Sequence, residues 1–304
     1  MKKTIIFGHK NPDTDSITSS IVMANLQSKL GNESEACSLG NPNKETAFAL
    51  NYFGASAPRV IDSVEPNSNV ILVDHNEFSQ SAAGIEEANI KMVVDHHRIA
   101  NFKTDEPLYY TAEPVGCTAT ILYKMYKSNG VEISQQIAGL MLSAIVSDTL
   151  LFNSPTCTEA DKTAAHALAG IADVDINTYG LDMLKAGTDL SDYTPEQLLN
   201  LDSKDFDMNG NKVTIAQVNT ADIDSVMENK TELENAINNE IKNKNLDLYV
   251  FAITDILKNN SKIIAIGNRI DLVEKTYKLE NNTAFLPGVV SRKKQIAPFI
   301  SKNA

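Results

Sequence analysis

The stretch Thr4-Ile-Ile-Phe-Gly-His-Lys-Asn-Pro-Asp-Thr-Asp-Ser16 decides the fold class, because a short apolar run passes into a polar loop and then into a helical pattern. Residues 70–73 and 92–94 are similar apolar runs that end abruptly in polar residues, as buried parallel strands do. Helical patterns flank these runs at residues 16–30, 44–53, 117–127, 134–146 and 158–169. The alternation predicts an α/β fold with a parallel sheet, whose ligands bind at the carboxyl ends of the strands.

The pattern of predicted strands and helices changes after a polar, proline-containing stretch at residues 187–195. We therefore expect an N-terminal domain at 1–188, a linker at 189–194 and a C-terminal domain at 195–304. In the second domain, Asn209-Gly210 suits a type I′ turn between strands at 204–208 and 212–218. Further patterns predict a smaller α/β domain: a helix at 223–242, strands at 248–253 and 262–266, a short helix near Arg269 and a last helix after Gly288.

Composition and charge narrow the function classes. The 304 residues include 27 Lys and Arg against 39 Asp and Glu, which gives a formal net charge of −12. Such a chain repels polyanions, so we expect no nucleic-acid partner and no membrane partner. Three widely spaced cysteines form no CxxC motif, which argues against a disulfide framework or a thiolate zinc site and favours a cytoplasmic location. The N-terminal apolar run is too short for a signal peptide, and no run approaches the length of a membrane span.

Acidic residues and imidazoles cluster where the predicted strands end. His9, Asp13 and Asp15 share one loop, and Asp74-His75 and Asp95-His96-His97 directly follow the other two apolar runs; Asp148 follows an apolar helical pattern. Six of these residues are candidate metal ligands: His9, Asp13, Asp15, Asp74, His96 and Asp148. The aspartates have a second interpretation, in which they only cap helices or orient histidines.

The charges of this set favour two divalent cations. Four carboxylates carry four negative charges, which two divalent ions would neutralise. Mixed nitrogen and oxygen ligands without thiolate suit Mn²⁺ or Co²⁺ better than a structural zinc site. Paired metal ions commonly activate water for attack on phosphorus, so we expect a polyanionic substrate.

A basic segment near the C-terminus would suit such an anion. Between Ser291 and Ala304 there are four basic residues and no acidic one. Arg292 offers a bidentate fork to phosphate and Lys293 a point charge, and Lys204 is a further candidate. The alternative is an ordinary solvated tail.

Five motifs in order carry a resemblance over essentially the whole chain: GHKNPDTDS at 8–16, VDHNE at 73–77, DHH at 95–97, SDTLLF at 147–152 and SRKKQ at 291–295. They resemble the DHH phosphoesterase superfamily and, within it, closely resemble the family II, manganese-dependent inorganic pyrophosphatases. The resemblance implies two domains with the active site in the cleft between them, a homodimer and a cytoplasmic enzyme. Only 49 residues separate His97 from Ser147, so we expect no regulatory nucleotide-binding insert there.

The resemblance also implies a role for each residue. One metal site would comprise His9, Asp13, Asp74 and Asp148, and the other Asp15, Asp74, His96 and Asp148. His97 would face the substrate phosphate, and Lys204, Arg292 and Lys293 would bind phosphate from the second domain. The catalytic residues would then be Asp13, Asp74, His97 and Asp148.

The expected activity is an inorganic diphosphatase that hydrolyses pyrophosphate to two orthophosphates. The nucleophile would be a water or hydroxide that bridges two Mn²⁺ ions per subunit, with Co²⁺ as a possible substitute and Mg²⁺ accompanying the substrate.

The same sequence has three alternative functional interpretations. A short-chain exopolyphosphatase of the same superfamily is the nearest. A DHH exonuclease or oligonucleotide phosphodiesterase would typically carry a glycine-rich C-terminal motif with a histidine, whereas this chain has no Gly-Gly pair and no histidine after His166. A non-catalytic DHH-like interaction protein would be expected to lack metal ligands, and none of the six candidates is missing.

Overall fold

The computed structural model describes residues 3–304, and the chain divides into two compact units, Met1–Gly187 and Thr188–Ala304. Each unit has its own sheet and its own hydrophobic core. Residues 189–194, which the sequence predicts as a linker, fall within the second unit, where Leu190 packs against the core. No helix within 3–304 has the length and apolar character that crossing a membrane requires.

The first unit is built on a six-stranded sheet in which every strand pair is parallel. Its strands are β1 (Thr4–Phe7), β2 (Ser34–Ser38), β3 (Arg59–Val60), β4 (Asn69–Val73), β5 (Asn89–Asp95) and β6 (Tyr109–Ala112). The order across the sheet is β3-β2-β1-β4-β5-β6. This confirms the predicted α/β class with an N-terminal parallel sheet.

The register of the central strands positions the site. Phe7 of β1 lies opposite Leu72 of β4, and Val73 of β4 lies opposite Val94 of β5. The carboxyl ends of these three strands therefore meet at one edge of the sheet. The chain proceeds outward in opposite directions from β1 and β4, and such a reversal of strand order is where α/β sheets bind ligands.

In its described residues, 3–187, the first unit has six α-helices and two 3₁₀ turns, at Phe78–Gln80 and Ile85–Glu87. The α-helices are α1 (Thr14–Lys29), α2 (Lys44–Tyr52), α3 (Thr118–Ser128), α4 (Gln135–Asp148), α5 (Glu159–Ala172) and α6 (Ile176–Gly187). The first five are confirmed to within a few residues of the predicted ranges. Every residue from Ile137 to Val146 in α4 is buried, so this helix runs through the core and its last residue, Asp148, emerges from it. A helix that is apolar on all sides is typical of such a central position.

The sequence does not predict β2, β3, β6 or α6. Strand β3 has two residues, and β2 is the largely polar sequence Ser-Glu-Ala-Cys-Ser. Strands β3 and β6 form the two edges of the sheet. Short edge strands are half exposed, so they lack the continuous apolar run by which the central strands are recognised.

The second unit has a five-stranded sheet in the order β11-β10-β9-β8-β7, in which only β8 and β9 are parallel. Its strands are β7 (Ser203–Met208), β8 (Asn211–Thr220), β9 (Leu248–Asp255), β10 (Asn260–Gly267) and β11 (Thr283–Pro287). Asn209 and Gly210 both have positive φ values, 53° and 83°, as a type I′ turn requires, and the predicted hairpin is confirmed. Every residue of β9 is buried, with separate cores on its two faces.

The helices of this unit are α7 (Pro195–Leu201), α8 (Ile223–Met227), α9 (Lys230–Lys244), α10 (Asp271–Glu274) and α11 (Ala297–Asn303), with one π-helical turn at Arg292–Ile296. The single helix predicted at 223–242 is wrong, because α8 and α9 are separate helices that meet at Glu228 and Asn229. The helices predicted near Arg269 and after Gly288 are confirmed.

Candidate metal centre

The loop between β1 and α1 brings His9 to the sheet edge. His9 donates its Nδ1–H to the Lys10 carbonyl at 2.8 Å, which leaves Nε2 3.5 Å from Asp13 Oδ2 and 3.4 Å from Asp74 Oδ2. Gly8 makes this loop possible, since a Cβ there would lie 2.1 Å from Ser16 Oγ and 2.8 Å from Ser16 Cα. Metal-binding histidines usually donate one ring N–H to a carbonyl or carboxylate, which leaves the other ring nitrogen free to bind the metal. His9 has this arrangement, with Nε2 facing the two acids.

Asp13 combines both roles that the sequence left open. Its Oδ1 accepts a hydrogen bond from the Ser16 N–H at 3.0 Å and so caps α1, while its Oδ2 faces His9. Asp13 is therefore the capping residue of α1. Asp15 lies two residues further on, in the first turn of α1; it is fully buried and accepts a hydrogen bond from Ser19 Oγ at 2.6 Å.

Asp74 lies between two imidazoles. It is 1% exposed, its Oδ2 faces His9 Nε2 and its Oδ1 lies 3.3 Å from His96 Nε2. Its backbone is left-handed, with φ 60°, immediately after β4. One carboxylate thus directs each of its oxygens toward a different histidine.

His96 joins a second set of acids. Its Nδ1–H donates to the Val115 carbonyl at 3.1 Å, and its Nε2 lies 3.8 Å from Asp148 Oδ2. Asp15, His96 and Asp148 each offer one ligand atom, all within 4.8 Å of one another. Residues that are separated by more than a hundred positions in the chain therefore meet at one point.

His97 is oriented by Asp95 rather than by the acids around it. Asp95 Oδ1 accepts from the His97 backbone N–H at 3.0 Å and from its Nδ1–H at 2.9 Å. Asp95 Oδ2 in turn accepts from Asn76 Nδ2 at 2.6 Å, and Asp95 is fully buried. The hydrogen bond to Asp95 raises the pKa of His97, which favours its protonated form.

The turn Val115–Thr118 contacts three of the candidate ligands, and the sequence analysis missed it. Its Val115 carbonyl holds His96, the Thr118 N–H donates to Asp15 Oδ2 at 2.7 Å, and Thr118 Oγ1 donates to Asp74 Oδ1 at 3.1 Å. Thr118 is also the first residue of α3, so the positive end of that helix faces buried carboxylates. The local signal for this role is weak: Gly116 directly precedes the helical pattern predicted at 117–127, which begins with Cys117-Thr118.

Burial and mutual repulsion alter the proton affinities of the cluster. Burial, then repulsion from Asp74, raises the pKa of Asp15 to about 7, and burial with repulsion from Asp15 raises the pKa of Asp148 well above its usual range. Burial opposes protonation of His9 and His96, but hydrogen bonds to the acids prevail and raise their pKa values to about 11 and about 9. Burial would also raise the pKa of Asp74, yet the bonds from both imidazoles hold it below its ordinary value.

The donor set fits divalent metal ions. Three overlapping groups of ligand atoms each lie within 4.8 Å: His9, Asp13 and Asp74; Asp15, His96 and Asp148; and Asp74, His96 and His97. All donors are carboxylate oxygens or imidazole nitrogens, which suits Mn²⁺. Cys117 is fully buried, and burial raises the pKa of its thiol well above its ordinary value, so it offers no thiolate here.

The opening beside this cluster is lined by its own residues. A cavity of ≈ 340 Å³ is bounded by His9, Asp74 and His97 together with the cationic side chains of Lys10 and Arg98. His75 also lines it, but its ring is committed: Nδ1–H donates to the Val73 carbonyl at 2.9 Å and Nε2 accepts from Ser81 Oγ at 3.1 Å. Burial lowers the pKa of His75 to about 4, so it stays neutral.

The lysines and the arginine that are predicted to bind phosphate all lie in the second unit. Lys204, on edge strand β7, and Lys293 are exposed. Arg292 is only 7% exposed, and its guanidinium donates to the Asp202 carbonyl at 2.5 Å and to Asp202 Oδ1 at 2.8 Å. The predicted open fork is therefore already engaged by a carboxylate of its own unit.

Comparisons with known proteins agree with the motifs. Residues 3–145 match the N-terminal domain of the DHH family, and residues 181–303 match the DHHA2 domain. The manganese-dependent inorganic pyrophosphatase of Bacillus subtilis is 57% identical over 99% of this chain and 98% of its own length, and a relative from Exiguobacterium sp. is 58% identical over 100% and 99%. A solved structure from Methanococcus jannaschii, described as a candidate family II inorganic pyrophosphatase, is 41% identical, covers 99% of both chains and has a TM-score of 0.63.

Proposed function

Because the chain belongs to the family of manganese-dependent inorganic pyrophosphatases, we propose that it hydrolyses pyrophosphate to two orthophosphates at the cluster around Asp74. The observation that carries the proposal is the position of Asp74, whose two oxygens face two separate imidazoles. A carboxylate in that position suits a bridge between two cations. One cation would be held by His9, Asp13, Asp74 and Asp148, and the other by Asp15, Asp74, His96 and Asp148.

The bound metal ions would neutralise the carboxylates, polarise the phosphoryl oxygens and make a water nucleophilic near neutral pH. A side chain of the protein would supply the proton that the leaving phosphate needs. Attack of water on one phosphorus forms a new P–O bond and breaks the P–O–P bond; the water releases a proton to solvent, and the departing orthophosphate must take one up. His97 is suited to donate that proton from Nε2, because Asp95 holds its Nδ1–H and raises its pKa. A positioned general acid contributes roughly 10²–10⁴-fold to a rate.

Substrate binding is assigned to cations of both units. His97 in the first unit and Lys204, Arg292 and Lys293 in the second would bind phosphate oxygens. Two Mn²⁺ ions per chain, Co²⁺ as a substitute, Mg²⁺ arriving with pyrophosphate and a homodimer in the cytoplasm complete the proposal. Metal analysis of the purified protein and light scattering after size exclusion test the ion count and the oligomeric state.

The decisive assay measures phosphate release after the metal-stripped protein is pre-incubated with Mn²⁺, Co²⁺ or Mg²⁺. We expect pyrophosphate to be hydrolysed much faster than tripolyphosphate or a dinucleotide, and Mn²⁺ or Co²⁺ to restore more activity than Mg²⁺. Asp74→Asn should abolish this activity, whereas Asp105→Asn, an exposed aspartate outside the three ligand groups, should not. Preferred cleavage of tripolyphosphate or of a dinucleotide would favour the exopolyphosphatase or the exonuclease instead.

A further inference from the structure

Glu45, in the first turn of α2, occupies a position that the mechanism does not use. Its Oε1 accepts a hydrogen bond from Thr14 Oγ1 at 2.8 Å and another from Ser147 Oγ. Thr14 lies between Asp13 and Asp15, and Ser147 immediately precedes Asp148. A single carboxylate oxygen therefore connects the two chain segments that supply three of the four acidic ligands.

These two segments have no covalent reason to keep their spacing. Thr14 is the first residue of α1, Ser147 is the last residue but one of α4, and more than a hundred residues separate them. Both hydroxyls point at the same acceptor, so a shift of either helix along its axis would break one of the two hydrogen bonds. The two hydrogen bonds to Glu45 therefore depend on the distance between the segment that contains Asp13 and Asp15 and the segment that contains Asp148.

The surroundings of Glu45 are shaped to hold it. Gly187, the last residue of α6, lies against it: a Cβ there would come within 2.8 Å of Glu45 Cβ and 2.9 Å of Oε2. Asn43 caps α2 by accepting from the Thr46 N–H at 2.8 Å, and Thr46 Oγ1 lies 3.1 Å from Thr14 Oγ1. Helix α2 therefore fixes the backbone of Glu45, and Gly187, which has no side chain, lies against its carboxylate.

Glu45 is not itself placed as a ligand. Within residues 3–304 none of the three groups of converging ligand atoms includes it. Burial raises the pKa of its carboxyl, the hydroxyl bonds oppose that rise, and Asp13 adds repulsion. A further acid in so acidic a region is costly, so its presence calls for a contribution to the site.

We propose that Glu45 is a positioning residue that sets the separation of the Asp13–Asp15 segment from Asp148 and thereby raises the affinity of the centre for Mn²⁺. The inference rests on the proposed two-metal centre. Side chains that orient metal ligands typically change metal affinity by about 10–100-fold when they are removed.

The test measures Mn²⁺ binding without substrate, by titration calorimetry and by counting free Mn²⁺ in electron paramagnetic resonance spectra. Glu45→Ala should weaken Mn²⁺ binding by about 10–100-fold, while Glu45→Gln, which keeps an oxygen acceptor in the same place, should retain most of the affinity. Asn43→Ala is the matched control: it removes the cap of the same helix but leaves Glu45, Thr14 and Ser147 in place, and it should bind Mn²⁺ as the native chain does. Equal weakening by Asn43→Ala and Glu45→Ala would mean that Glu45 matters only for helix stability and would overturn the proposal.

A single variant and a double-variant cycle test the route of the effect. If Glu45 acts through Ser147, then Ser147→Ala, which leaves Glu45 in place, should weaken Mn²⁺ binding. Adding it to Glu45→Ala should cost less than the sum of the two single losses. Strictly additive losses would overturn the proposal. Native-like Mn²⁺ binding by Glu45→Ala would overturn this inference alone, whereas absence of Mn²⁺ binding by the native chain would overturn the proposed metal centre as well.

Discussion

Asp74 adopts a backbone conformation that few side chains tolerate. Its φ of 60° lies in the left-handed region, where non-glycine residues pay about 1–3 kcal/mol, although aspartate is among the more tolerant. The conformation turns the side chain back over the sheet edge, where His9, His96 and Thr118 contact it. These contacts hold the strained residue in place.

Thr118 gives the first prediction at this scale. Thr118→Val keeps the shape and the backbone N–H bond to Asp15 but removes the hydroxyl that donates to Asp74. We expect Mn²⁺ affinity to fall by about 10–100-fold with little loss of the metal-free fold, measured by calorimetric titration and thermal unfolding.

Thr18→Val is the matched control for that variant. Thr18 is equally buried, but its hydroxyl donates only to the Thr14 carbonyl one turn away. Its Mn²⁺ affinity should stay close to that of the native chain. An unchanged affinity in Thr118→Val would show that Asp74 does not depend on this hydrogen bond.

At the scale of the element, the end of α4 determines where Asp148 lies, because Asp148 is the last residue of this helix. Beyond its cap, Leu150, Leu151 and Phe152 are all left-handed, with φ values of 46°, 51° and 68°. Three consecutive residues of this kind are unfavourable for L-amino acids. They are held by hydrogen bonds from the Leu151 N–H to the Val146 carbonyl and from the Ser154 N–H to the Thr149 carbonyl. The chain therefore reverses abruptly after Asp148, which fixes where the helix stops.

Helix α6 gives the second prediction, through its terminal glycine. Gly187→Ala places a Cβ against Glu45, so we expect a lower melting temperature and weaker Mn²⁺ binding. Gly170→Ala in α5 is the control: a Cβ there meets nothing within 4 Å, and alanine should stabilise that helix by about 0.5–1 kcal/mol. If both variants gain stability and keep native Mn²⁺ affinity, the contact between Gly187 and Glu45 is unimportant.

The π-helical turn of the second unit gives the third prediction. Arg292 is buried against Asp202, so Arg292→Ala should lower stability by about 1–3 kcal/mol as well as weakening pyrophosphate binding. Lys293→Ala removes an exposed charge, so it should raise KM without changing thermal unfolding. Thermal melts and steady-state kinetics of both variants distinguish the effects. Unchanged stability in Arg292→Ala would show that its bond to Asp202 contributes little to the fold.

At the scale of the whole molecule, metal binding and folding are coupled through protons. Asp15 and Asp148 have raised pKa values in the fold, so between about pH 4 and 7 the folded chain binds more protons than the unfolded chain, and stability falls as the pH rises. His9 and His96 also have raised pKa values, so their contribution is complete below about pH 6.5 and is lost as the pH rises through about 9 and about 11.

The fourth prediction follows from these shifts. Because Mn²⁺ must displace the protons on Asp15, His96 and His9, its binding should release protons, and its affinity should rise between about pH 6 and 9. Calorimetry in buffers of different ionisation enthalpy measures the proton release. The metal-free chain should lose stability over the same range, and the Mn²⁺-loaded chain should lose less. Affinity that is independent of pH would contradict the ligand assignment.

The sequence determined the central strands of the first unit, its first five helices and the hairpin at Asn209-Gly210. Each of these has a local signal: a continuous apolar run, a helical period or a turn dipeptide. It also placed His9, Asp74 and His96 directly after predicted strands, and parallel strands bring their carboxyl ends to one edge whatever the rest of the fold does. The α/β class and the convergence of these side chains could therefore be predicted.

Only the tertiary structure decided which partners these residues have. Thr118 and Glu45 reach the cluster from helices that carry no motif of their own, Asp13 shares its carboxylate between a helix cap and His9, and Arg292 is paired with Asp202. Edge strands β3 and β6 could not be predicted either, since two to four largely exposed residues are too few to show the alternation of apolar and polar residues that marks a strand. The physical reason is common to these contacts. Hydrogen bonds between residues far apart in the chain depend on which helices and strands pack against each other, and the local pattern of apolar and polar residues shows only that a face is buried, not which partner covers it.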